Sequence, residues 1–227
     1  MEDYEAILDR VLGILTTGQD PTKNPTSEIK PTVRPVTSSS AIPVGLSNRH
    51  VHLSDQAVAK LFGTGHRLTP MKDLSQPGQY ACQECVTLCG PKGVIEKVRV
   101  LGPTRSETQV EILQGDTFKL GVKGTIRLSG DLTDTAGITL VGPKGSLELE
   151  KGVIVAQRHI HMLPQDAERF NVRNGEIVSI KISGIRGGTL DNVAIRVDEK
   201  AGLECHIDTE EGNAFGLTPK STVEIIK

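Results

Sequence analysis

Four of the six histidines in this 227-residue chain fall in two copies of one tetrapeptide, Arg49-His50-Val51-His52 and Arg158-His159-Ile160-His161. On an extended strand, residues two apart project from the same face. Each copy therefore sets two imidazoles side by side, with Val51 or Ile160 pointing the other way. Paired imidazoles are a half-site for a divalent transition metal, and a catalytic ion of that class takes three protein ligands and keeps one position open. A third candidate stands further along each copy: Glu111 in Val110-Glu111-Ile112 and His206 in Cys205-His206-Ile207. Both alternate with apolar neighbours, so each leaves its strand on the side away from the core. The pattern predicts two three-ligand clusters, His50/His52/Glu111 and His159/His161/His206.

Other reactive side chains stand around this pattern. By alternation Arg49 and Arg158 face away from the histidines and read as structural. Arg105, in GPTRSET, reads as a loop residue shortly before Glu111. It is either an exposed loop charge or a fork for an anion such as phosphate. Cys82-x-x-Cys85 with Cys89 hints at a zinc knuckle or a redox pair, but no second C-x-x-C exists. Free thiols buried in the core, Cys205 among them, are the preferred reading. His66 lies outside the repeat and reads as a loop residue.

The elements that would position these groups are mostly strands. From Ala41 onward, alternating runs such as ECVTLC, GVIEKVRVL and GTIRLSG are punctuated by GP, KG and SG. Only 54–63 (SDQAVAKLFG) and 164–171 (PQDAERFN) read as helical, each directly after an H-x-H. The order of segments repeats. CQECVTLCG matches GEIVSIKISG, GVIEKVRVL matches GTLDNVAIRV, and QGDTF matches EGNAF. The repeat implies two β-domains of one design, each opened by R-H-x-H and a helix. Ahead of them, residues 1–18 carry apolar side chains at helical spacing, with Asp3 placed to cap and Gly18 to end the helix. Residues 19–40 are rich in Pro, Thr and Ser and read as a flexible linker. A lone amphipathic helix on a tether needs a surface to dock on. It either folds back on the domain or recruits the chain to something else.

Bulk properties exclude several classes. Net charge is −2, aromatic residues are 3% and Trp is absent, which argues against nucleic-acid and anionic-membrane binding. No apolar run approaches a membrane span, and the acidic start is unlike a signal peptide. The chain is expected to be cytosolic with reduced cysteines.

IPVGLSNRHVHLS, LGPTRSETQVEI, QRHIHM and ECHIDTEEGNA resemble the zinc-dependent phosphate propanoyltransferases of propanediol-utilisation microcompartments, over about residues 42–227. The resemblance implies a mainly β fold of two similar six-stranded β-barrel domains with short capping α-helices. One domain is discontinuous (41–48 and 157–227) and the other inserted (49–156). It places one Zn2+ on His50, His52 and Glu111 and a second on His159, His161 and His206, where Co2+ would also fit the ligands. It makes Arg105 the phosphate-contacting catalytic arginine and sets Asn213 near the site. The implied reaction interconverts propanoyl-CoA, or acetyl-CoA, plus phosphate with acyl phosphate plus coenzyme A, by direct attack of metal-bound phosphate on the thioester. Residues 1–18 resemble encapsulation peptides, so the expected partners are a microcompartment shell or other cargo, the expected location is the compartment lumen, and a homo-oligomer is expected. Two other readings stay open. One is a dinuclear zinc hydrolase with the same ligands. The other is a non-enzymatic metal-stabilised adaptor, although a purely structural zinc would be closed by four ligands.

Overall fold

The computed structural model describes residues 40–226. The helix expected over 1–18, and the linker over 19–40 except for Ser40, lie outside the described residues. Period-2 alternation shapes most of the described chain. In β13 (Glu204–Asp208), Cys205 and Ile207 are buried while Glu204, His206 and Asp208 project from the other face. The same rule sends Val51 of β2 (His50–Ser54) and Ile160 of β10 (His159–Met162) fully into two separate apolar cores. The histidines of both strands are thereby turned off the core face.

One core fills a closed six-stranded barrel. Its strands run around the ring as β1 (Ile42–Ser47), β13, β10, β12 (Gly188–Val197), β11 (Ile177–Ile182) and β14 (Thr222–Ile226). The second core fills a ring of β4 (Tyr80–Cys89), β5 (Val94–Arg105), β2, β6 (Gln109–Ile112), β9 (Gly145–Ala156) and β8 (Ala136–Gly142), which β8 closes by pairing with both β9 and β4. Short strands β3 (Pro70–Asp73) and β7 (Thr125–Arg127) attach outside it, on β4 and β9.

The two rings have identical connectivity. β2 lies parallel to β5 and antiparallel to β6, as β10 lies parallel to β12 and antiparallel to β13. β6 then pairs in parallel with β9, as β13 does with β1. The closing strands are exchanged, however. β1 belongs to the first barrel yet leads directly into β2 of the second, and β9 belongs to the second yet leads into β10 of the first. Both R-H-x-H motifs therefore sit where the chain crosses between barrels.

The two helices expected from sequence form as α1 (Asp55–Phe62) and α3 (Pro164–Phe170). Ser54 caps α1 by accepting from the Ala57 N–H at 3.2 Å, and Ala57, Val58 and Leu61 pack into the second core. Pro164 opens α3, and Asn171 ends it in the left-handed region with φ 53°. Two further short helices correct the sequence reading: α2 (Asp116–Leu120) and α4 (Thr209–Phe215). They overlap the QGDTF and EGNAF segments and are five and seven residues long, too short for a helical period to register.

Candidate metal centre

Register brings each third ligand to its histidines. In the antiparallel pairing of β2 with β6, His50 lies opposite Glu111. In the equivalent pairing of β10 with β13, His159 lies opposite His206. One ligand atom from each of His50, His52 and Glu111 falls within 4.8 Å of the others, and the same holds for His159, His161 and His206. A tetrahedral zinc with bonds of ~2.0–2.1 Å spaces its ligand atoms about 3.4 Å apart, so both clusters need only small side-chain adjustments to close on an ion.

Their protonation also suits a cation. His50 Nδ1 lies 2.7 Å from the Asn48 carbonyl and His159 Nδ1 lies 2.8 Å from the Gln157 carbonyl. A carbonyl oxygen only accepts, so Nδ1 donates and, in the neutral ring, Nε2 keeps its lone pair. His50 Nε2 then faces the Glu111 carboxylate at 3.3 Å, and His159 Nε2 faces His161 Nε2 at 3.1 Å. Burial, reinforced by neighbouring imidazoles, pushes His52 and His161 down to about 3 and His159 to about 4. These rings are neutral ligands at physiological pH. His50 behaves differently: burial opposes its charge, but Glu111 and the Asn48 carbonyl outweigh it and its pKa is raised. Burial also opposes the Glu111 charge, yet His50, His52 and His159 together hold that carboxyl far below its usual range. His159 belongs to the other cluster, so the two clusters sense each other's charge.

All six side chains line one cavity of about 420 Å³, with walls drawn from both barrels. Arg105 lines it too. It is the last residue of β5 rather than a loop residue, and its Nη1 donates to Ser129 Oγ at 2.9 Å. Burial lowers its pKa, and Arg196 from the opposite barrel adds to that effect. Arg158 is not part of the cavity wall, as alternation predicts, whereas Arg49 does line the cavity even though its guanidinium turns toward a carboxylate. Arg49 pairs with Asp116 of α2 at 2.7 Å and Arg158 with Glu211 of α4 at 2.6 Å, tying each motif to the short helix after its third ligand. Asn213 is not brought to the cavity wall. Gly212 is the inward residue of α4, and the next position turns Asn213 out to solvent.

Several residues at or beside the cavity were not found from sequence, among them two arginines and the partners of both third ligands. Arg99 and Arg196 reach it from β5 and β12. Gln109 and Glu204 each stand two residues before a third ligand and hydrogen-bond to it, Gln109 to Glu111 at 2.7 Å and Glu204 to His206 at 2.6 Å. The alternation that exposed the histidines would have exposed these two.

The cysteines gather no site among the described residues. None is in a disulfide, and none joins a metal-competent group. Cys82 and Cys205 are buried, with thiols pushed by burial up to about 11 and about 12, whereas Cys85 and Cys89 are only half-buried. His66 is a loop residue, anchored by Glu84 at 2.9 Å and stacked on Phe62. No helix among the described residues is long and apolar enough to cross a membrane.

A family model described as phosphate propanoyltransferase matches residues 43–218. A protein of that name from Rhodobacter capsulatus is 56% identical over 191 residues, covering 84% of this chain and 89% of its own. One from Thermotoga maritima is 55% identical over 185 residues, covering 81% and 88%. One from Salmonella typhimurium is 54% identical over 176 residues, covering 77% and 83%.

Proposed function

The chain belongs to the phosphate propanoyltransferase family and is an acyltransferase, and from that premise we propose that it carries out the transfer at a dinuclear metal centre in the inter-barrel cavity. The observation that carries this reading is that both three-ligand clusters and Arg105 open on a single cavity. Two Zn2+ ions, or Co2+ on the same ligands, would supply Lewis acidity for the thioester carbonyl and the departing sulfur. His50, His52 and Glu111 would hold one, and His159, His161 and His206 the other. The carboxylate makes the first site less positive than the second, which suits different duties.

The chain's own groups supply the rest. Arg105 presents a planar fork to phosphate, held in place by Ser129, and Arg196 concentrates further positive charge in the same cavity. Removing the phosphate dianion from bulk water into this field positions it against the carbonyl carbon. A phosphate oxygen bonds to that carbon and the carbon–sulfur bond breaks. The proton that phosphate carried ends on the coenzyme A sulfur, and no acyl-enzyme is needed. Propanoyl-CoA is the expected donor and acetyl-CoA a smaller alternative. The two barrels would correspond to domains 41–48 with 157–227 and 49–156. Residues 1–18 would deliver the enzyme to a microcompartment lumen.

The test is coenzyme A release from propanoyl-CoA with and without phosphate. Release that requires phosphate and yields propanoyl phosphate supports the reading. Release at the same rate without phosphate would make the protein a hydrolase.

A further inference from the structure

Gln109 and Glu204 occupy equivalent places in the two barrels. Gln109 pairs across the ladder with His52, and Glu204 with His161. The two copies then part company. Gln109 stays within its barrel, donating to Glu111 and to Ser129 Oγ at 2.8 Å and accepting from the Gly130 N–H at 2.8 Å. Glu204 instead reaches across to the other barrel. The oxygen that contacts His206 also accepts from Ser75 Oγ and from Gln76 Nε2 at 3.4 Å. Gln76, itself buried, makes a two-way pair with the Gly202 backbone. Its Nε2 donates to the carbonyl at 3.1 Å and its Oε1 accepts from the N–H at 3.2 Å. Ser75 and Gln76 belong to the turn between β3 and β4, whose residues Leu74, Ser75, Gln76 and Gln79 form part of the cavity wall.

The space for this carboxylate is built in. Gly45 of β1 lies opposite His206, and a β-carbon there would sit 2.7 Å from the Glu204 carboxyl carbon. The equivalent position in the other barrel, opposite Glu111, is Ile154. Only one cluster therefore has a carboxylate beside its third ligand, and that carboxylate is shared with a wall of the cavity.

We propose that Glu204 is a positioning residue with two linked roles: it orients His206 for its ion, and it latches the 74–79 turn across the barrels. The inference rests on the dinuclear reading above. With Nε2–H directed to Glu204, His206 has only Nδ1 to offer, and the carboxylate sets both ring orientation and basicity. While the turn is seated, Ser75 and Gln76 draw on the same oxygen. When the turn lifts, His206 receives the whole of that charge. Turn position and ligand strength are thus two sides of one equilibrium, and whatever lifts the turn alters the ion.

The test uses the full chain loaded with cobalt(II) alone, read by its visible absorption bands and by competition with a chelator. The wild type binds two ions per chain; fewer than two overturns the dinuclear reading itself. Glu204→Ala weakens one ion by about 10–100-fold and leaves the other unchanged. Glu204→Gln keeps an acceptor but not the charge, and it shifts the band of that same ion. Gln76→Ala touches no histidine, retains both ions and also shifts that band. With two ions in the wild type, unchanged affinity and spectrum in Glu204→Ala, or in Glu204→Gln if the alanine variant does not fold, overturn the positioning role. An unchanged spectrum in Gln76→Ala overturns the link to the turn.

Discussion

His50 and His159 each donate an Nδ1–H hydrogen bond to the backbone carbonyl two residues upstream, at the two points where the chain passes between barrels. That hydrogen bond fixes the tautomer and leaves Nε2 available. Arg105 is equally specific in its geometry. Arg105→Lys keeps the charge but loses the planar fork, so KM for phosphate should rise about 10–100-fold, the cost of a lost charged hydrogen bond. KM for acyl-CoA should stay constant, and steady-state kinetics with each substrate varied separately check this. Acid should weaken the metal-free protein. His52, His159 and His161 are held neutral when folded, with values depressed from the ordinary 6.5 to about 3, 4 and 3. Unfolded, they take up protons below about 6.5, so their contribution is complete above that pH and is lost as pH falls toward 4. His50, whose pKa is raised, has its effect above about 6.5 and is protonated in both states below it, so it does not offset the loss at lower pH. Thermal melts of chelator-treated protein should show Tm falling between pH 7 and 4.5, and a flat profile would contradict the assignment. The six clustered side chains were legible because strand alternation and an internal repeat mark them twice. Arg99 and Arg196 were not, because a single arginine on a strand carries no pattern.

At the level of elements, each ligand strand turns one face to a core and the other to the cavity. Ile160, between His159 and His161, is fully buried in the first barrel. Ile160→Ala should cost about 2–5 kcal/mol in chemical denaturation. It should also loosen both flanking ligands, so metal affinity falls along with stability. The cysteines report on the same alternation. At pH 8 a thiol-labelling reagent should modify Cys85 and Cys89 in the native protein and reach Cys82 and Cys205 only on unfolding. Four native-state labels would place the buried pair wrongly. Most strands were legible from alternation and turn residues, and helices α1 and α3 were read as the helical segments directly after each H-x-H. Helices α2 and α4 were not, since they are short and long-range ion pairs hold them: Asp116 is fixed by Arg49, and Glu211 by Arg158.

Across the whole molecule, two barrels of one topology exchange a strand, and the exchange places their ligand motifs at a shared boundary. Motif spacing made the repeat visible but not the exchange, because β1 and β9 precede the motifs and share little sequence. Residues 1–18 carry a separable prediction. Their deletion should leave kcat and KM unchanged while abolishing recruitment of a fluorescent fusion to microcompartments. Loss of folding on deletion would instead assign the segment to the core. The central claim is that one reaction centre is assembled from two metal-binding halves. Metal analysis of purified His159→Ala alongside its phosphate-dependent activity tests this most directly. The variant should hold one ion in place of two and show no detectable turnover, whereas a variant that keeps both ions and its activity would contradict that claim.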